Sequence, residues 1–189
     1  MNKKLKKILL ILGIIICIFI VLFRIIKVQN YFLKKIYKKE YSEYVYKYSE
    51  QYNIDPYLIF SIIKVESNFN RNIDSTSGAI GLMQLMESTA REMATKVDEE
   101  VIVKESLYNP EINIKIGTHY YSYLIEHYEG NIYLAIAAYN AGMGNVDKWI
   151  KDGTIEKDGS NLENIPYKET NNYVRKVIRD YKIYKELYK

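Results

Sequence analysis

The sequence predicts a mainly α protein: a single globular domain behind an N-terminal apolar segment. Three observations predict it. Apolar residues recur at i, i+3, i+4 in successive stretches, each opened by a capping residue or closed by glycine. No stretch alternates convincingly like a strand, apart from a possible short hairpin near Thr154 to Lys157. Finally, a charge-free run from Ile8 to Phe23 follows a lysine-rich start.

That start, MNKKLKK, precedes an apolar run that Ile25 and Ile26 extend past Arg24. A membrane-crossing helix needs about 20 apolar residues, and Ile8 to Ile26 suffices when Arg24 snorkels to the interface. The lysines would stay cytoplasmic and the remainder would lie outside. No small-residue cleavage site follows the run, so a retained anchor is expected rather than a removed signal peptide. The expected organisation is residues 1–27 as cytoplasmic lysines and transmembrane anchor, 28–45 as a stem, and 46–189 as the domain. Lys34, Lys35, Lys38 and Lys39 crowd the stem, as a solvated segment or as a contact for anionic lipid.

The net charge of +4 is a topology signal. Residues 1–27 hold six basic residues and no acids, which leaves 21 basic against 23 acidic residues beyond them. Nothing argues for nucleic acid. The lone cysteine, Cys17, falls inside the apolar run and reads as a packed thiol, so the outer domain must be held by its core rather than by disulfides.

Tyr41 to Tyr52 is expected to form the first domain helix, with Tyr44, Val45 and Tyr48 inward. Asp55 is a good N-cap and Pro56 suits the first turn of the next. There Ile59, Ile62 and Ile63 mark a buried face, and Glu66 falls at i+7 on it. An apolar surround disfavours the charged carboxylate, so the Glu66 pKa should be raised. An acid still protonated near neutrality suits glycoside cleavage; the alternative is a buried glutamate satisfied by structural hydrogen bonds.

A polar loop containing Asp74 and Ser75 follows, then Gly78 and Gly81, whose spacing permits close backbone approach. Gln84 lies between Met83 and Met86, which together resemble the lining of a sugar site: apolar walls with a few aimed polar groups. Ser88 to Thr95 reads as a short helix, and Glu87, Glu92, Glu99 and Glu100 as solvated charges. Asn109-Pro110 opens a helix to about Tyr128, stopped by Gly130. It carries His119 and His127, whose spacing of eight does not match a metal pair, so no metal is expected. Asn131 to Ala138 is helical, with Gly142 and Gly144 breaking the chain. Asn145 to Lys151 is a short helix, a polar loop follows, and Thr170 to Tyr188 is the last helix, aligning Tyr173, Val177, Tyr181 and Tyr184.

Four blocks carry a family resemblance: Glu66-Ser67; Gly78-Ala79-Ile80-Gly81-Leu82-Met83-Gln84; Ala138-Tyr139-Asn140-Ala141-Gly142; and Ile165-Pro166-Tyr167-Lys168-Glu169-Thr170 with Tyr173-Val174. In this order and spacing they resemble the soluble lytic transglycosylase family, from roughly Tyr46 to the end. The resemblance implies a lysozyme-like fold and cleavage of peptidoglycan glycan strands. It implies that Glu66 acts as acid and then base, forming 1,6-anhydro-muramoyl ends without metal or cofactor. It implies that Ser75, Gln84, Met86 and Tyr139 line the sugar groove. Glu169 matches a second family glutamate and is read as structural or substrate-orienting, with favourable placement at a helix N-terminus as the alternative. Asn140 is expected to hold its turn.

Goose-type lysozymes share part of the pattern but carry an aspartate where this chain has Met86. A hydrolase commonly needs a second carboxylate to activate water, so transglycosylase is preferred over a muramidase. A non-catalytic glycan-binding scaffold of an envelope machine stays open.

Overall fold

The computed structural model describes residues 2–97 and 103–189. Glu99 and Glu100 lie outside the described residues. The chain divides into two units, Met1–Lys38 and Lys39–Lys189.

The first unit is one helix, α1 (Lys3–Ile36), capped by the Asn2 side chain and running unbroken through residues 28 to 36. Its stretch Leu10–Ile36 is long and apolar enough, by length and composition, to cross a membrane.

In the second unit, α2 (Ser42–Gln51) buries Val45 and Tyr48. The next helix, α3 (Pro56–Ser67), begins where the Asp55 carboxylate accepts the Tyr57 N–H at 2.9 Å. Its inner face is wider than a single stripe. Leu58, Phe60 and Ser61 are buried along with Ile59, Ile62 and Ile63. This is because α3 is packed on two sides, by α2 and by α8 (Lys168–Leu187). The helices α3 and α8 run antiparallel. Tyr181 on α8 donates to the Asp55 carboxylate at 2.7 Å, and Phe60 stacks on Tyr184 with centroids 5.7 Å apart. Asp180, also on α8, is buried between Lys64 and Arg179, which compensate its charge.

After α3 the backbone turns sharply. Asn68 and Phe69 both have positive φ, at 49° and 67°. A two-stranded antiparallel hairpin follows, β1 (Ala79–Ile80) and β2 (Leu85–Met86), with Ala79 opposite Met86 and Ile80 opposite Leu85. Among the described residues this is the sheet, and the hairpin expected near Thr154 to Lys157 is absent. There, Ile155 is buried and its N–H turns back to the Trp149 carbonyl, so the backbone closes on the helix that carries Trp149 rather than on a strand.

The remaining helices are α4 (Glu87–Ala94), α5 (Pro110–His127), α6 (Ile132–Ala141) and α7 (Met143–Lys151). Glu87 pairs with Arg91 and Glu92 with Lys96, as surface charges do. The side chains of Asn109 and Asn131 cap α5 and α6. Gly142 ends α6 with φ of 82°, but Gly144 sits inside α7 rather than breaking the chain. One residue of positive φ turns the chain, and α7 begins at once. In the core, α6 lies against α5, α7 and α8. Its residues Leu134 to Ala138 are all buried, the three alanines letting neighbouring helices approach closely.

Candidate active site

Glu66 occupies the last turn of α3, half-buried, where the chain is about to leave the helix. Burial is the main force on its carboxyl group and raises its pKa. A contact from Tyr173 lowers it, and the like charge of Glu169 raises it again. The outcome is a pKa of about 7. Glu66 is therefore substantially protonated near neutral pH while still touching solvent.

Two phenols flank it. Tyr139, on the last full turn of α6, donates its hydroxyl to the Met83 carbonyl at 2.8 Å. Its ring packs between Tyr120 and Tyr121, with centroids at 5.4 and 5.8 Å. The Tyr173 hydroxyl, on α8, is buried and has no full hydrogen bond among the described residues, yet lies near enough to Glu66 to favour its charged form. Burial, followed by the nearby Glu66 charge, pushes both phenols well above their ordinary range. Both therefore stay protonated; the Tyr139 proton is spent on the Met83 carbonyl, while that of Tyr173 remains to be given. In the sequence Tyr173 falls on a packed face and in the fourth family block, but with no role at the site. The signal that finds it is its position four residues after Glu169, one turn along the same side of α8.

The hairpin lies beside Tyr139, whose hydroxyl reaches the Met83 carbonyl. Gly81, with φ of 75°, turns the chain between the strands. A β-carbon there would lie 2.5 Å from the Leu107 carbonyl oxygen and 2.6 Å from the Asn113 amide. The buried Asn113 side chain holds this loop. It accepts the Met83 N–H at 2.8 Å and donates to the Ile80 and Leu107 carbonyls at 3.1 and 2.9 Å. The Gln84 amide donates to the Ile73 and Gly81 carbonyls, so its two N–H groups are spent on the loop and its oxygen remains to accept. Met86 is exposed at the N-cap of α4. The Ser75 hydroxyl accepts the Ala79 N–H at 2.9 Å, fixing the turn that leads into β1, and still has its own proton to give.

Glu169 is exposed in the first turn of α8, within electrostatic reach of Glu66. Beside it, Thr170 donates to the Asn140 side chain at 2.8 Å, which ties the Tyr139-Asn140 turn to α8. Asp74 is engaged elsewhere, by the Tyr108 hydroxyl at 2.7 Å and the Lys104 ammonium at 2.8 Å, and these hold its pKa down. Glu66, Tyr139, Tyr173 and Glu169 thus meet where α3, α6 and α8 converge. Ser75 and Gln84 serve the neighbouring loop. Among the described residues no group of three histidine, cysteine, aspartate or glutamate side chains gathers as a metal set.

Comparison with known proteins bears on this arrangement. The profile of the family described as Transglycosylase SLT domain matches residues 43–161. The chain is 32% identical over 148 residues to the soluble lytic murein transglycosylase of Salmonella typhimurium, covering 77% of this chain and 23% of that protein. It is 38% identical over 128 residues to the membrane-bound lytic murein transglycosylase C of Edwardsiella ictaluri, covering 63% of this chain and 35% of that one. The X-ray structure of an inactive glutamate-to-glutamine mutant of the lytic transglycosylase Slt from Pseudomonas aeruginosa superposes with a TM-score of 0.73 at 34% identity, covering 79% of this chain and 24% of that chain. The mainly α, lysozyme-like fold expected from the sequence is the fold observed. The chain spans about a quarter of the length of the soluble relatives.

Proposed function

Since the chain belongs to the Transglycosylase SLT domain family, we propose that it is a peptidoglycan lytic transglycosylase that forms 1,6-anhydro-muramoyl ends. The observation that carries this is Glu66: a half-buried carboxyl group whose pKa of about 7 lets it serve as acid and then as base.

In the first step Glu66 gives its proton to the oxygen linking N-acetylmuramic acid to N-acetylglucosamine, and that bond breaks. In the second, the Glu66 carboxylate takes the proton of the muramoyl 6-hydroxyl, whose oxygen bonds to the freed anomeric carbon. Glu66 ends protonated, as it began, and no water is consumed. The 6-hydroxyl is part of the substrate, so its effective concentration far exceeds that of a diffusing nucleophile. The Tyr173 phenol would steady the carboxyl group, and the Tyr139 phenol, held by the Met83 carbonyl, would stand against the reacting sugar. Met86 and Tyr139 would shield the reacting carbon from water, whereas the Met83 side chain is fully buried against Gly117. The serine, glutamine and glutamate at 75, 84 and 169 would orient sugar substituents. Partners in the envelope machinery are compatible with this role, and α1 would hold the domain at the membrane on its outer side.

Glu169 favours a second reading. It is a carboxylate near Glu66, and a muramidase would use such a group to activate water. Product mass separates the two. The transglycosylase reading expects muropeptides one water lighter than hydrolysis products and resistant to borohydride at the muramoyl end. Reducible fragments carrying the extra water would establish the muramidase. Glu66→Gln should keep the fold and glycan affinity and lose about 10²-fold or more in turnover; a Glu66→Gln protein that still cleaves wall would overturn both readings.

A further inference from the structure

Beyond the candidate active site, a cavity of about 890 Å³ opens where the end of α5, the start of α6 and the end of α7 meet the 151–160 loop. None of Glu66, Ser75, Gln84, Met86, Tyr139 and Glu169 lines it. The cavity is within the size range of sites that take drug-sized ligands. Its floor is apolar, formed by Tyr128, Leu134 and Ile150.

The charges on its walls are not alike in availability. Glu129 is paired with Lys157 at 2.7 Å. Asp147 accepts from the Tyr128 hydroxyl at 3.0 Å and faces His127 Nε2 at 3.1 Å. Asp158 caps the Ser160 N–H, while its carbonyl accepts the Asn131 amide and anchors the loop to the start of α6. Lys151 has no acidic partner among the described residues. Asp147 and Asp158 have no lysine or arginine partner among them either. The walls therefore offer one free cation and two carboxylates without a strong counter-ion, around an apolar floor. A neutral sugar would leave all three unanswered. A ligand with both a carboxylate and an amine on a short aliphatic frame answers them all.

We infer that this cavity binds a short zwitterionic peptide, carboxylate to Lys151 and amine to Asp147 or Asp158. In the wall polymer this is the peptide stem with its free diamino acid, an identification that rests on the proposed function. The placement is suitable. Asn131 at one end of α6 lines the cavity, and Tyr139, eight residues on, reaches the catalytic region, a separation of roughly 12 Å along the helix. A stem near the cleaved sugar could thus be held while its glycan lies at Glu66.

The test titrates the full chain, in detergent micelles, with the blocked tetrapeptide N-acetyl-alanyl-γ-isoglutaminyl-lysyl-alanine, which carries one amine and one carboxylate, with its C-terminal amide and with its Nε-acetyl form. The parent peptide should bind, and each modified form should bind about tenfold more weakly, the scale of one charge-assisted hydrogen bond at a part-exposed site. In Lys151→Ala the preference for acid over amide should vanish while the preference for free over acetylated amine remains. Equal binding of the three peptides, absence of binding, or an acid preference that survives Lys151→Ala would each overturn the inference. Wall cleavage by the Glu66 variants is scored separately. If the peptide binds yet Glu66→Gln remains active, the cavity stands and the catalytic reading falls; the converse result reverses the two.

Discussion

At the scale of single residues, the raised pKa of Glu66 bears on stability and, under the proposed function, on rate. Its pKa in the folded chain is about 7, against 4.5 for an ordinary glutamate. Between those values folding takes up a proton. Stability therefore falls as pH rises from about 4.5 to about 7, and the penalty persists above. Glu66→Gln removes the ionisation, so the variant should melt higher than the native chain at pH 8, by a free energy on the order of 1–3 kcal/mol. The gap should close below about pH 4.5, and thermal melts across that range check it. Activity limited by the acid step should fall as pH climbs through 7. Tyr173 tunes this limb. Its contact favours the carboxylate, so Tyr173→Phe should raise the Glu66 pKa and move the alkaline limb of the pH–rate profile upward. An unmoved limb would mean that the phenol only fills space. Glu66 was legible in the sequence because a carboxyl group on an apolar stripe contradicts its surroundings. Tyr173 was not, because a tyrosine on such a stripe contradicts nothing.

At the scale of elements, caps and stops were readable where one residue does one local job. Asp55, Asn109 and Asn131 each cap the helix they were expected to open. The hairpin β1–β2 was not readable, since two-residue strands are too short to show a period of two. It exists because of tertiary support, chiefly Asn113, which lies some thirty residues away and satisfies three backbone groups of the loop region. Gly144 misled for the reverse reason: glycine weakens a helix by only about 1 kcal/mol, and the packing of α7 through Val146 and Trp149 outweighs that. Asn113 is thus the point at which a distant helix sets the loop beside Tyr139. Asn113→Ala would leave the Met83 N–H and two carbonyls buried without partners, at about 1–3 kcal/mol for each unsatisfied group. The variant should unfold at clearly lower denaturant. Because Met83 also accepts the Tyr139 hydroxyl, turnover should fall even at temperatures where the chain stays folded. Unchanged turnover in the folded variant would show that the loop holds its shape without this amide.

At the scale of the whole molecule, the helix α1 has a different solvent requirement from the rest. Its 34 residues extend about 51 Å, against a hydrocarbon core of about 30 Å. Its apolar side chains from Leu10 through Phe23 are exposed all round, a surface suited to lipid. Charges flank the apolar run: Lys3, Lys4 and Lys7 before it, Arg24 and Lys27 after it. Lys27 lies over the Phe23 ring at 4.8 Å, the posture of a cation at the edge of an apolar zone. Lys34 and Lys35 then close the last turn. The other unit has its own buried core, from Val45 to Tyr184. The two requirements should be separable. The full chain should sediment with membranes and resist alkaline carbonate extraction, being released by detergent. Residues 39–189 expressed alone should be soluble and show a cooperative melt, with turnover on soluble glycan fragments matching the full chain in detergent. On intact wall in cells the shortened chain should do less, because it is no longer concentrated at the membrane surface. Carbonate release of the full chain, or a shortened chain that aggregates with its core unformed, would show that α1 packs as part of the fold rather than in lipid.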